Sequence, residues 1–231
     1  MRGWARPAVL LVLSLAGKAA PAGDIPEALV VLEASPGTPG SDATAAPPRF
    51  VLLKDGQVFV GGTSRLEAGR LEKAEAAALR KRVGQVRKTP GLASPVALGG
   101  DASRALRLRL LEDEPVEIVA TGDPAAAPPT LAPLATLLAD LLRFNHQSLR
   151  PYAPTGYAMA AREARLPGGC RAWRFLFPIA EAVPGPRLVS AAEASGWPTG
   201  AVPASVCADD PAGTSRRYAV TLRPLLPGER P

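Results

Sequence analysis

The side chains best suited to chemistry are few and scattered. His146 is the single histidine among 231 residues, and Ser148 follows it two positions later in "RFNHQSLRPY". A histidine activates a serine when it contacts the hydroxyl and a carboxylate orients its other ring nitrogen. Two residues of irregular backbone are a short span for that contact, and no G-x-S-x-G elbow occurs anywhere in the chain. The end of a leucine-rich helix offers His146 a plainer role. A protonated imidazole complements the negative end of the helix dipole, and Asn145 can take the left-handed conformation that ends a helix. His146 is therefore read as structural. Hydrolysis by Ser148 with His146, or by a pair of carboxylates, stands as the enzymatic alternative.

Metal and cofactor chemistry find less support. Zinc would have to draw together His146, Cys170 and Cys207 with a carboxylate, and none of the short spacings of zinc motifs is present. Glu112, Asp113 and Glu114 lack the alternating pattern of a calcium loop and read as a hairpin tip. There is no GxGxxG and no P-loop. No catalytic residue, metal or cofactor is expected.

Cys170 and Cys207 have one possible intramolecular pairing, and the N-terminus indicates a compartment in which it would form. "MRGWARPAVLLVLSLAGKAAPAG" sets Arg2 and Arg6 before an apolar run from Ala8 to Ala16 and then small residues, the layout of a secretory signal. Its apolar run falls short of the roughly 20 residues needed to span a bilayer. Cleavage is expected after Ala22, with Ala20 as second choice, so residues 1–22 are leader and the mature chain is periplasmic or secreted, without a transmembrane segment.

Arg2, Arg6 and Lys18 leave with the leader, reducing the formal charge from +6 to +3. The surplus is uneven: residues 23–142 carry 13 basic and 15 acidic residues, whereas residues 143–231 carry 11 arginines against 6 acids. Arginine suits bidentate contact with carboxylate or phosphate, so an anionic partner fits the C-terminal part. Nucleic acid does not, because no compact lysine-rich patch with interleaved aromatics exists.

The elements that must position these residues follow from pattern. "IPEALVVLEA" reads as a strand, and "SPGTPGSDATAAPP" as a loop. "RFVLLKDGQVFVGG" reads as a hairpin turning at Asp55-Gly56, with Leu53 opposite Val58 and Val51 opposite Val60. Both its faces are apolar, which predicts cover on both sides. "LEKAEAAALRKRVGQVRK" places Leu71, Ala78, Leu79, Val83 and Val86 at helical spacing, with a basic run toward its C-terminus that reads as a dipole-compatible solvated face. "SRALRLRLLEDEPVEIVATGDP" reads as a second hairpin with one wet face, pairing Leu110 with Val116 and Arg109 with Glu117. "LAPLATLLADLLRFN" reads as a helix capped by Thr130, its stripe of Leu134, Leu137, Leu138, Leu141 and Phe144 lying on the sheet. The order gives an α+β fold, an antiparallel sheet with helices packed on one side, over residues 23–150.

Residues 151–231 change texture, with strands expected at "GYAMAARE", "RAWRFLFP" and "RRYAVTLRPLL", a short helix near "SAAEAS", and a Pro-rich tail. This reads as a smaller β-rich domain or subdomain that a Cys170–Cys207 disulfide would staple. Trp173, Phe175 and Phe177 alternate along one expected strand, more a core pattern than a ligand platform. Trp197 sits in the turn-rich "SGWPTG", where it is a candidate contact residue. Arg171, Trp173, Arg174, Trp197, Arg216 and Arg217 combine charge with aromatic surface and form the candidate binding set.

The "LxxDGxV" hairpin followed by a helix, together with the C-terminal "YAVTLRPLLPGE", resembles uncharacterised exported proteins and lipoproteins of GC-rich bacteria. The resemblance implies an envelope or extracellular location and no known activity, although the lipidation cysteine of the lipoprotein members is missing here. The expectation is a non-catalytic binding module with a protein or an anionic envelope component as partner. An inhibitor or assembly factor presenting its Pro-rich tail is a further alternative.

Overall fold

A computed structural model of the chain describes residues 25, 27–35, 46–62, 66–90, 92, 95–164, 168–183, 185–209 and 215–230. The expected leader, most of the loop after the first strand, and Pro231 lie outside the described residues.

The first sheet has eight strands: β1 (Ala28–Ser35), β2 (Phe50–Leu53), β3 (Gln57–Val60), β4 (Glu67–Arg70), β5 (Val96–Gly99), β6 (Ala105–Leu110), β7 (Val116–Gly122) and β8 (Arg150–Pro151), in the order β5-β7-β6-β1-β2-β3-β4-β8. All its pairings are antiparallel except β5 with β7. Helices α1 (Lys73–Arg87) and α2 (Ala132–Leu142) supply Leu79, Val83, Val86, Leu134, Leu137 and Leu138 to one core with Leu32, Phe50, Leu108 and Ile118 of the sheet. The fold is thus α+β with its helices on one side, as the patterning predicts. Ala76, not Ala78, joins the buried stripe of α1, since position 78 falls on the solvent side of the turn.

The first hairpin is apolar on both faces and covered on both, but its register differs from expectation. Leu52 pairs with Val58, Val51 with Phe59 and Phe50 with Val60. The loop has three residues, Lys54 to Gly56, closed by Gly56 N–H donating to the Leu53 carbonyl at 3.1 Å with Gly56 at φ +86°. This is a turn ending in a left-handed glycine instead of a two-residue turn with two positive φ values. A one-residue slip moves every partner to the other face. Val58 and Val60 therefore join Phe50 and Leu52 under the helices, while Phe59 joins Val51 and Leu53 beneath.

The second hairpin has the expected register, Leu110 opposite Val116 and Arg109 opposite Glu117. Its charged face is organised around Glu33 of β1: Arg109 lies 3.2 Å and Arg107 3.9 Å from that carboxylate, and Arg107 is 3.7 Å from Glu117. Thr130 does not cap α2. It falls in a 3-10 turn, Pro129–Leu131, that leads into the helix, and Leu131 takes the cap position. At the other end of α2, Arg49 donates from Nε and Nη2 to the Leu142 carbonyl at 2.8 and 2.6 Å, a cation on the negative pole of the dipole. Burial pulls that guanidinium below its usual pKa.

In the basic run of α1, Lys81, Arg82 and Lys88 are exposed, as a solvated face predicts, while Arg80 and Arg87 are half-buried. Arg82 pairs with Asp140 of α2. Arg87 donates to the carbonyls of Leu110, Glu112 and Glu114 at 3.1, 2.5 and 2.6 Å, holding the tip of the second hairpin.

The second sheet contains β9 (Gly156–Glu163), β10 (Arg171–Ala172), β11 (Arg187–Ser190), β12 (Gly200–Asp209) and β13 (Ser215–Pro224), in the order β10-β12-β13-β9-β11. The expected strand at residues 171–178 stops at Ala172, after which the chain bends, and the expected helix near "SAAEAS" is a run of turns. Cys170 and Cys207 form a disulfide with Cα atoms 5.5 Å apart, joining the short parallel strand β10 to β12.

Strand β13 stops at Pro224, and the tail beyond it is held by side chains. Leu226 packs against Ile25, Val31, Val51, Leu53 and Phe59 on the underside of the first sheet, so the second part covers the face that the helices leave open. Arg223 and Glu229 form an ion pair at 2.7 Å with side-chain exposures of 6% and 0%. Glu229 Oε2 also accepts the Leu226 N–H at 3.0 Å. Burial, and then the Glu229 charge, raise the pKa of the neighbouring Tyr152 phenol. Leu225, Leu226 and Glu229 are buried, whereas Pro227, Gly228 and Arg230 are exposed.

Candidate functional site

Two clusters carry side chains that can do something beyond packing. The first surrounds His146. Its Nε2 is 3.3 Å from Oε1 of Glu75, and its Nδ1 is 2.7 Å from Oγ of Ser148. Serine, histidine and carboxylate thus meet, with a partner from the first turn of α1 that lies 71 positions away and that no local motif marks. Glu75 is fixed by the Glu72 backbone N–H, which donates to Oε2 at 2.9 Å. That bond, and then His146, hold the Glu75 carboxyl below the usual carboxylate range.

The surroundings of the hydroxyl decide what this trio does. Ser148 N–H donates to Nδ1 at 3.2 Å, which makes Nδ1 the acceptor and puts the ring proton on Nε2, toward Glu75. Ser148 Oγ accepts the Arg70 N–H at 3.0 Å, and its single proton lies between the Arg70 carbonyl at 3.0 Å and Nδ1. The hydroxyl thus bridges the β4 backbone and the imidazole. The backbone of β4 also closes over it, for a Cβ at Gly69 would sit 2.5 Å from Oγ. Ser148 itself is half-buried. The trio links the edge of β4 and the start of α1 to the segment after α2, so His146 contacts Glu75 and Ser148 and is more than a charge at a helix end.

The second cluster lies on the second sheet. Trp173, Phe175, Phe177 and Trp197 pack in edge and tilted contacts, with centroid separations from 4.9 Å (Phe175 to Trp197) to 6.1 Å (Trp173 to Trp197). They cover Val206, Tyr218 and Val220 of the sheet. The alternation that suggested a strand comes instead from a bend whose three aromatic rings turn back onto the sheet. Trp173 Nε1 donates to the Phe177 carbonyl at 2.6 Å and closes that bend into a tight loop. Leu176, between two inward rings, is 101% exposed. No other large apolar side chain among the described residues is as exposed.

Arginines rim the cluster. Arg174 lies 5.5 Å from the Trp197 ring centre and donates to the Ser195 carbonyl, and Arg187 lies 3.8 Å over Phe177 while pairing with Glu181. Both contacts are cation–π in kind. Arg171 is exposed at the edge strand β10, beside the disulfide that anchors the loop.

Of the six candidate residues, Trp173, Arg174 and Trp197 therefore meet, and Arg171 stands beside them. Trp197 is 7% exposed, so it is the floor of the cluster and not the exposed contact that its turn-rich setting suggested. Arg216 is drawn to Glu163 at 3.0 Å. Arg217 pairs in register with Cys207, on the face opposite Val206 and Tyr218, and donates to the Gly168 carbonyl at 3.0 Å. Leu176 and Arg187 are the residues that sequence reasoning missed. The signal available for Leu176 was a leucine placed out of phase between alternating aromatics.

Two cavities lie among the described residues. One of about 450 Å³ lies along α2, lined in part by Arg104, Asp123, Asp140 and Arg143. The other, of about 300 Å³, lies between the sheets and is lined in part by Glu67, Tyr152, Tyr157 and Pro224. Neither is lined by His146 or Ser148. Among the described residues no helix is long and apolar enough to cross a membrane, and no three His, Cys, Asp or Glu side chains are grouped to hold a metal ion.

Comparison with protein-family models, with curated proteins and with solved structures finds no match to the chain.

Proposed function

We propose that this is an exported, non-catalytic binding module whose C-terminal sheet engages an anionic component of the cell envelope. The observation that carries the reading is the loop Trp173–Phe177, which holds Leu176 fully in solvent above a base of packed aromatic rings. A fully exposed leucine flanked by aromatic rings and arginines forms a mixed apolar and cationic tip suited to an anionic partner. The arginine excess after residue 142 supports an anionic partner. The leader-like N-terminus and the disulfide support export.

The test is co-sedimentation with a bacterial envelope fraction while salt is raised. Binding should fall steeply toward about 0.5 M salt, where screening is nearly complete within a few ångströms. The double variant Arg171→Gln/Arg174→Gln should lose most of the binding at low salt. Salt-independent binding, or binding unaffected by both substitutions, overturns the reading.

The meeting of Ser148, His146 and Glu75 favours a second reading, a serine hydrolase. A panel of short-chain aryl esters separates the two. The binding-module reading expects equal, background turnover from the wild type and Ser148→Ala, whereas turnover abolished by Ser148→Ala would establish the hydrolase.

A further inference from the structure

We infer that the anionic component is a phospholipid bilayer, and that Leu176 is the residue that enters it. This deepens the proposed function and rests on it. The shape of the surface selects the partner. Protein interfaces bury their anchor side chains in pockets of matching shape, on patches flat enough to exclude water around them. Here the exposed apolar group is a single convex tip, Leu176, with the half-buried rings of Phe175 and Phe177 on either side of it. A bilayer interface accommodates such a tip without a preformed pocket, and places aromatic rings at the headgroup level behind it.

The charges are arranged to match. The guanidinium groups of Arg174 and Arg187 lie over the rings of Trp197 and Phe177, which sets positive charge directly beside the apolar tip. Arg171 adds a third cation on the adjoining edge strand. Of the nearby acids, Glu181 is paired with Arg187, and Glu193, held by Ser190, also feels the Arg187 charge, which leaves Arg171 and Arg174 as the cations set for an anionic partner. Anionic headgroups meet guanidinium groups in that ring while the leucine crosses into the acyl region. The disulfide and the Trp173–Phe177 hydrogen bond fix the loop beforehand, so little ordering accompanies docking.

Vesicle flotation tests this, with vesicles of phosphatidylcholine alone and with about 30% phosphatidylglycerol, in low salt and in about 0.5 M salt. The wild type should float with the phosphatidylglycerol vesicles in low salt only. Leu176→Asp, on the surface where it does not disturb the core, should weaken binding about 10- to 100-fold, the worth of burying one leucine. A Leu176→Trp variant should bind and be quenched by spin-labelled acyl chains. Absence of flotation, an unaffected Leu176→Asp, or an unquenched Leu176→Trp overturns the lipid assignment. If the protein sediments with detergent-extracted envelope under the same salt and arginine dependence, only the lipid assignment fails. If it binds neither material, the proposed function fails with it.

Discussion

Substituting Glu229 with glutamine isolates one charge in the clasp that fastens the two sheets. The side chain is fully buried, its Oε1 is 2.7 Å from Nη1 of Arg223, and its Oε2 accepts the Leu226 N–H. Glutamine keeps the shape and can still accept that N–H, so the substitution removes charge and little else. Arg223 is then left buried, 6% exposed, without its counter-ion. Breaking a buried pair in this way costs about 3–5 kcal/mol, because the remaining charge has lost its compensation. With a urea dependence of about 2–3 kcal/mol/M, the unfolding midpoint should fall by about 1–2 M. Removing both charges in Arg223→Met/Glu229→Leu should recover most of the loss, since a buried pair replaced by apolar groups is roughly neutral. Urea unfolding followed by circular dichroism measures all three proteins. A Glu229→Gln protein within about 1 kcal/mol of wild type, or a double variant no better than the single one, would refute the assignment of the tail as a structural clasp.

Other consequences are as direct. Gly69→Ala should destabilise by about 1–3 kcal/mol in urea unfolding, because its Cβ meets Ser148 Oγ at 2.5 Å and the Ser148 backbone carbon at 3.1 Å. Replacing Cys170 and Cys207 with serine should cost about 2–5 kcal/mol and expose the loop after Ala172 to limited proteolysis. The pKa values of Glu75, Asp101 and Glu193 are held low, chiefly by hydrogen bonds from Glu72, Ser103 and Ser190. A carboxylate lowered in the folded state stabilises it above the unfolded pKa and loses that contribution as pH falls through the folded one. Thermal stability should therefore be flat from neutral pH down to the ordinary carboxylate range and decline below it. Glu75→Gln should flatten part of the decline, and an identical profile for that variant would contradict the assignment.

Much of the first part was legible because its pattern is carried by long, strongly periodic runs. Leu106, Leu108 and Leu110 alternate with arginines, and a period of two across a short acidic turn leaves one sensible register. The leucines of α2 recur at helical spacing, so their burial followed directly. The first hairpin was harder because both faces are apolar. With no polar side to reject a slip, the register depended on whether Asp55-Gly56 made a two- or three-residue loop, and only Gly56 adopts a positive φ. β4 and β5 carry "EAGR" and "VALG", runs too short and mixed to signal a strand, and they pair through edges that their neighbours provide.

The candidate surface was half legible for a related reason. Period-two alternation of Trp173, Phe175 and Phe177 is shared by a strand and by a bend whose rings fold to one side, and the Trp173–Phe177 hydrogen bond that decides between them is a tertiary fact. Trp197 joins from a segment 20 positions on, where sequence spacing carries no information about contact. Glu75 reaches His146 because α1 starts beside the loop after α2, and no local pattern encodes that placement. The disulfide was readable by elimination, since two cysteines allow a single pairing.

Hydrogen–deuterium exchange of the purified protein, with and without the envelope fraction, tests the central claim most directly. The account predicts protection on binding in the segment from Cys170 to Phe177, beside the arginines that rim it, with the segment around His146 and Ser148 unchanged. Protection around His146 and Ser148 with none between Trp173 and Phe177 would contradict it.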